Sequence, residues 1–298
     1  MTTPVSNRPL RVGVFTTSSV LAAAEGLGLF AQNGIEVDVE EVKGSGQQMK
    51  GLREGTLHVV HTSPDNVMKA RLDDGDDVFV FFVQDTGLPQ LLVGRAGVDT
   101  WGKVQGGRIG VDDPKSGFAF VVYEMLKGNG VSVEGCDVVS VGTSRQRLDA
   151  LIAGDIEVGL LSAAMSARIS EAGLTVLAGA ADAVPWYPGV AAATSRAVAD
   201  SRPDDIGAYT RSLHDAMKWA SDSANTEVFR AHVADYLDIT SDEAARIIDR
   251  EARARTSTLP DAVASAEAVA KVADMRAAHT GQTVEGAFDA RWVLALAP

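Results

Sequence analysis

Two stretches of this chain repeat each other at one constant offset, and the repeat limits the folds open to it. Gln47, Leu52, Gly55, Val59 and Ser63 match Gln146, Leu151, Gly154, Val158 and Ser162. In each copy a short helical stretch, Gln47–Glu54 or Arg145–Ala153, stops at a glycine. A strand follows, Leu57–His61 or Ile156–Leu161, and then a hydroxyl-bearing turn. Upstream, Gly13-Val14 and Gly110-Val111 each close a strand ahead of a helix. Strands that alternate with helices pair in parallel, so the expectation is two α/β units in series, with a ligand at the carboxyl ends of their strands.

The stretch Gly110–Gly130 shows how such a strand end becomes a candidate site. Arg108–Val111 reads as a strand, Asp112-Asp113-Pro114 breaks it, and Ser116 is placed to cap the helix that follows. Phe118, Val121, Val122 and Met125 form its expected apolar stripe, and Gly128 and Gly130 its stop. First-turn N–H groups carry partial positive charge and favour an anion or a polar acceptor. Gly117 lets a ligand approach the backbone, and Lys115 adds a cation.

Composition narrows the partners. Of 298 residues, 46% are hydrophobic and 22% charged, a globular profile, and the formal net charge of −13 argues against nucleic acid and anionic membranes. A single cysteine, Cys136, allows no disulfide within one chain and reads as a small buried residue. The start, MTTPVSNRPLRVGVF, is polar and has no secretory pattern. The expectation is a cytoplasmic protein as the sequence stands, periplasmic or extracellular if an export signal was removed. No apolar run is long enough to span a bilayer.

Between the repeats, Val20–Gln32 reads as one helix and Val78–Val83 as a strand buried on both faces. Val190–Thr194 reads as a return strand. Asp204–Ser221, Asn225–Tyr236, Ser241–Arg253 and Leu259–Thr280 read as a helical packing shell, with His214, His232 and His279 at its surface.

Several segments in this order resemble a known family: GLGLFAQNGIEVDV (26–39), LREGTLHVV (52–60), GLPQLLVGR (87–95), GRIGVDDPKSGFAFVVYEML (107–126) and RLDALIAGDIEVGLL (147–161). The DDIGAYTRSLHDAMKWASDSAN stretch (204–225) is similar too. Together they resemble the bilobal solute-binding proteins of the type II periplasmic-binding fold, in the branch of sulfonate, taurine, nitrate and thiamine-precursor binders. The resemblance implies an α/β fold with two parallel-type sheets, flanking helices and a helical C-terminal tail. It implies a discontinuous first lobe, 1–89 plus 189–298, and a second lobe, 90–188, closing over a small polar organic ligand: a sulfonate, a carboxylate or a heteroaromatic. The ligand-binding turns it implies hold Thr16, Thr17 and Ser18; Ser45 and Gln47; Thr62 and Ser63; Gln84 and Asp85; Lys115, Ser116 and Gly117; Thr143; Ser162; and the aromatic pair Trp186 and Tyr187. It implies an ABC permease as partner if the chain is exported; from the residues themselves, no metal-ligand spacing, nucleic-acid charge or membrane insertion is expected, and no cofactor. The cations expected near these turns are Lys115 and Arg145. The final FDARWVLALAP segment lies outside the resemblance.

A second reading stays open, because some members of this fold are cytoplasmic enzymes. His61 ends a strand, and Arg71 follows it at a spacing like that of a sulfinate desulfinase. Thr16-Thr17-Ser18-Ser19, however, stands where that enzyme has its nucleophilic cysteine, and the cysteine-rich iron motif of the pyrimidine synthases is missing. What remains is a cofactor-independent lyase or hydrolase with His61 as acid–base, set against a His61 that is buried and hydrogen-bonded.

Overall fold

The structure is a computed structural model that describes residues 9–254 and 262–292. Its contacts divide into two units. The first holds the described residues of 1–85, 188–270 and 284–298, and the second those of 86–187 and 271–283.

The chain begins in the first unit with β1 (Leu10–Val14), α1 (Ser19–Gly26), α2 (Leu29–Gln32), β2 (Val37–Glu41), α3 (Ser45–Glu54), β3 (Val59–Thr62), α4 (Pro64–Lys69) and β4 (Val78–Val83). The second unit follows with β5 (Gln90–Gly94), α5 (Trp101–Val104), β6 (Arg108–Val111), α6 (Gly117–Gly128), β7 (Asp137–Ser140), α7 (Ser144–Ala153), β8 (Val158–Ser162), α8 (Ser166–Glu171), β9 (Thr175–Gly179) and α9 (Ala180–Ala183). The chain then returns through β10 (Ala191–Ser195), α10 (Arg196–Ser201), α11 (Pro203–Ala220), α12 (Thr226–Leu237), α13 (Ser241–Ala254) and α14 (Ala262–Thr280).

Each unit is built on a five-stranded sheet, ordered β2-β1-β3-β10-β4 in the first and β7-β6-β8-β5-β9 in the second. The wiring is the same, and so is the register of the repeat. Val59 pairs with Val12 and Val158 with Ile109, each across a parallel ladder. Both sheets are mixed rather than wholly parallel, because the strand that enters from the other unit, β10 or β5, runs antiparallel to its neighbours.

The glycines of β1 and β6 make the repeat physical. A Cβ on Gly13 would lie 2.6 Å from Leu57 Cδ1, and one on Gly110 would run into Ile156 Cδ1. Leu57, which leads into β3, thus fills the space over β1, and Ile156, which leads into β8, the space over β6. The helices before it, α3 and α7, both end at a left-handed glycine, Gly55 with φ 68° and Gly154 with φ 81°, the conformation that a residue with a Cβ adopts at a cost.

The core of the first unit gathers Val12, Val14, Leu21, Phe79, Phe81 and Tyr209, all shielded from solvent. Leu148, Leu151, Ile156, Leu161 and Ile169 fill a cluster of the second. Burying a side chain of this size contributes roughly 1.5–3 kcal/mol, which is what holds the sheets to their helices.

Three expectations change. The helix expected over Val20–Gln32 is two helices, because Gly28 takes φ 67° between them. In α6 the core side is led by Phe120, 2% exposed, while Phe118 is only partly buried. Residues 288–292, outside the family resemblance, pack in the first unit. Phe288 bridges to Val80, and Trp292 stacks on Phe79 with ring centroids 6.1 Å apart. His279 is not at the surface: its ring stacks on Phe120 at 5.1 Å and its Nε2 lies 2.9 Å from Glu124 Oε1. The ring turns its apolar face to Phe120 and its polar edge to Glu124, which suits a histidine at this contact.

Candidate ligand-binding site

Parallel pairing brings the turns after β1, β2, β3 and β4 to one edge of the first sheet. In the turn after β1, Thr16 is exposed, whereas Thr17 and Ser18 are 6% and 8% exposed. Ser18 caps α1: its Oγ accepts from Leu21 N–H and donates to Gln84 Oε1 at 3.3 Å. That bond ties the turn after β1 to the turn after β4. Ser45 is partly buried, and Gln47 is exposed with its Oε1 accepting from Lys43 N–H. Thr62 is buried, and its Oγ1 accepts from Asn66. Ser63 is buried at the start of α4. Asp85 accepts from Gly189 N–H and Val190 N–H at 2.7 and 2.9 Å, and so fastens the outgoing chain to the returning one.

Three residues here have no precursor in the sequence reading. Phe15 is 43% exposed at the end of β1. Gln48 is enclosed; its Nε2 donates to Gly13 O and His61 O, while its Oε1 finds no partner. Glu251 reaches the start of α1 from α13. Its two oxygens accept from Ser19 N–H at 3.3 and 3.1 Å, and Oε2 accepts from Ser19 Oγ at 2.5 Å. Contacts across so much of the chain leave no mark on local sequence pattern.

His61 turns away from this edge. It is 5% exposed, and its Nε2 lies 2.8 Å from the hydroxyl of Tyr209 on α11. Burial pushes its pKa down to about 4, so the ring is neutral at pH 7, and it raises that of the Tyr209 hydroxyl well above the phenol range. Arg71 is committed elsewhere, to Glu285 O, Val78 O and Asp77. The pair that suggested acid–base chemistry is therefore not assembled around an open site.

In the second unit the turns after β6, β7 and β8 share one edge. Ser116 is the N-cap of α6: its Oγ accepts from Ala119 N–H at 3.0 Å and donates to Asp112 Oδ1 at 2.6 Å. Gly117 begins the helix and is buried, and Lys115 is exposed. Thr143 and Gln146 form a reciprocal capping box at α7. Ser162 is partly buried, with its N–H donating to Ser144 Oγ. Trp186 is partly buried beside Tyr187, whose ring is fully enclosed.

The cation of this edge is Arg147, not the exposed Arg145. At 4% exposure its guanidinium donates to Leu160 O at 2.7 Å, to Gly142 O and to Ser144 Oγ at 3.2 Å. Burial lowers its pKa and the charge of Asp112 opposes that shift. A buried guanidinium on two carbonyls and a hydroxyl brings positive charge under the strand ends, with the Asp112 carboxylate near enough to favour that charge. Alternation along α7 carries the signal, since Arg147 falls beside Leu148 and Leu151 on the buried side of the helix.

An open groove bounded by Leu27, Leu29, Lys218, Trp219 and Asp222 also occurs in the first unit. It lies at the far end of α1 from Ser18, about 12 Å away at 1.5 Å per residue, and takes no part in the strand-end turns. Among the described residues no group of three or more His, Cys, Asp or Glu is placed to hold a metal ion, and no helix is long and apolar enough to cross a membrane.

Comparison with known proteins agrees with this architecture. The structure is similar to the alkanesulfonate-binding protein SsuA from Xanthomonas axonopodis pv. citri bound to MOPS, with a TM-score of 0.72 at 16% identity over 95% of this chain and 98% of that one. It is similar to the periplasmic aliphatic sulphonate binding protein SsuA from Escherichia coli, with a TM-score of 0.71 at 16% identity over 91% and 86%. The periplasmic nitrate-binding protein NrtA from Synechocystis PCC 6803 gives a TM-score of 0.61 at 13% identity over 79% and 68%. At such identities the likeness establishes the fold. No curated protein matches the sequence. A family model, however, matches residues 28–236, more than half the chain. The chain belongs to the family of ABC transporter, phosphonate, periplasmic substrate-binding proteins.

Proposed function

We propose that this solute-binding protein captures a small organic anion, a phosphonate or a sulfonate, by its anionic head at the carboxyl edge of the second sheet. The observation that carries this reading is Arg147. Its buried guanidinium stands under the same edge at which α6 begins. The Ser116 cap uses Ala119 N–H and leaves the N–H groups of Gly117 and Phe118 as first-turn donors. Positive helix end and buried cation together favour a tetrahedral anion, even in a chain of net charge −13. A low local dielectric strengthens that attraction relative to the screened surface charge.

The family is periplasmic, so the cytoplasmic expectation drawn from the N-terminal stretch finds no support in it. In our reading the ligand is passed to an ABC permease, and no bond is made or broken. His61, on which an enzymatic reading rested, is neutral and enclosed.

Isothermal titration with methylphosphonate and with ethanesulfonate tests this. Ser116→Trp should abolish binding, while Ser116→Ala, which loses the cap but leaves the edge open, should bind with a lower melting temperature. Arg147→Met should weaken binding about tenfold by removing the buried positive charge beneath the edge. Unchanged affinity in Ser116→Trp would sink the assignment of this edge.

A further inference from the structure

β4 is the last strand of the first sheet, with β10 on one side. Its outer side carries the backbone of VFVFFV, six buried residues without a charge. An edge of this kind is a template for another strand. The chain covers it with its own residues 285–292. Val80 N–H donates to Ala287 O at 2.8 Å and Asp289 N–H donates to Val80 O at 2.9 Å, which makes the parallel bridge to Phe288. Two residues back along the strand, Arg71 donates to Val78 O at 2.9 Å and also to Glu285 O of the covering segment at 3.0 Å. Gly286 passes this guanidinium with φ 66°, and a Cβ there would lie 3.1 Å from Arg71 Nη2.

Side chains hold this cover more than its backbone does. Among the described residues its backbone bonds to β4 at Val80 alone, whereas β10 meets β4 at five register positions. Asp289 is the fastening: its carboxylate pairs with Arg196 at 2.7 Å and with Arg291 at 2.9 Å. Trp292 stacks on Phe79, and the Arg196 guanidinium lies 4.1 Å from the centre of the same Phe79 ring. One carboxylate therefore ties the segment to the residues that flank the edge.

We propose that β4 is a self-association surface and that residues 285–292 are the plug over it. With the plug displaced, the edge accepts β4 of a second copy. Two identical edges laid antiparallel are self-complementary and close as a two-fold dimer. A strand without charges brings no repulsion to oppose that pairing.

The test uses the full chain as wild type, Asp289→Lys and Asp289→Asn. Asp289→Lys sets a cation against Arg196 and Arg291. Asp289→Asn keeps the shape and loses the charge, and carries the test if the lysine variant fails to fold. At low micromolar concentration the Val80 amide should exchange with solvent at least about tenfold faster in Asp289→Lys than in wild type, with a smaller change in Asp289→Asn. As concentration rises, light scattering should show the mass of the variants doubling where that of wild type does not. A synthetic peptide of residues 285–292 should return them to the single-chain mass. Unchanged protection of Val80 would overturn the plug. Faster exchange without a rise in mass, or growth past a dimer, would overturn the two-fold partner. Methylphosphonate binding at Ser116 belongs to the second unit and takes no part in these readouts.

Discussion

His58 and His61 sit three residues apart on one stretch of chain and are both held neutral, for different reasons. His61 is enclosed beside Tyr209. His58 accepts from Arg11 N–H at 2.9 Å; its burial, then the charges of Arg202 and Arg11, push its pKa down to about 4. A pKa below that of the unfolded chain means that the unfolded state binds the protons first as pH falls. Stability is therefore full above about pH 6.5 and declines between there and about pH 4, with a slope set by two protons. For His61 the shift corresponds to on the order of 3 kcal/mol. Urea melts at pH 7 and pH 4.5 should show that decline, and His61→Gln should flatten its slope by close to one proton. Tyr209→Phe should cost about 1–2 kcal/mol at pH 7 by leaving His61 Nε2 without its partner. The strand position of His61 was legible from sequence, but its partner lies 148 residues away on α11. For the same reason Arg147, whose partners lie within 13 residues of it, had a local trace on α7, whereas Glu251, 232 residues from Ser19, had none.

At the scale of elements the repeat was the most readable part, because it is written in residues that act locally. A left-handed glycine ends a helix, a capping residue starts the next, and a strand glycine admits the side chain packed over it. Gly13→Ala and Gly110→Ala should each lower stability by about 1–3 kcal/mol, the cost of overpacking, with each variant melting early in its own unit. Thr143→Ala should cost about 1 kcal/mol through loss of the capping box, read as a shift in denaturation midpoint. The break at Gly28 was missed because Leu27, Leu29 and Phe30 keep an apolar character across it, and periodicity alone does not reveal a single positive φ. The antiparallel setting of β5 and β10 was missed because strand direction depends on which sheet a strand enters, not on its own residues.

At the scale of the molecule each unit is assembled from separate pieces of chain. The resemblance implied lobe boundaries at 89/90 and 188/189, and the contacts divide the chain at 85/86 and 187/188. The last pieces were harder. Residues 271–283 group with the second unit and residues 284–292 with the first, whereas the sequence reading ran one helix to Thr280 and kept the whole of 189–298 in one lobe. Trp292 closes the account in the first unit, where its Nε1 donates to Pro203 O at 2.9 Å. A chain ending after Gly281 should lose that packing and the Val80–Phe288 bridge, and Trp292→Ala should cost about 3–5 kcal/mol, seen as a lower melting temperature of the first unit.

The position of β4 has a consequence for how such a chain is made. VFVFFV is buried along its whole length, and its ladder partner β10 is translated roughly a hundred residues later. At about 5–20 residues per second, the ribosome presents this strand for some 5–20 seconds before anything can cover its edge. In that interval it is an uncharged, β-prone segment of the kind that seeds aggregates. A nascent chain of this design therefore depends on being shielded during synthesis, and the same interval keeps it open for handling while still unfolded.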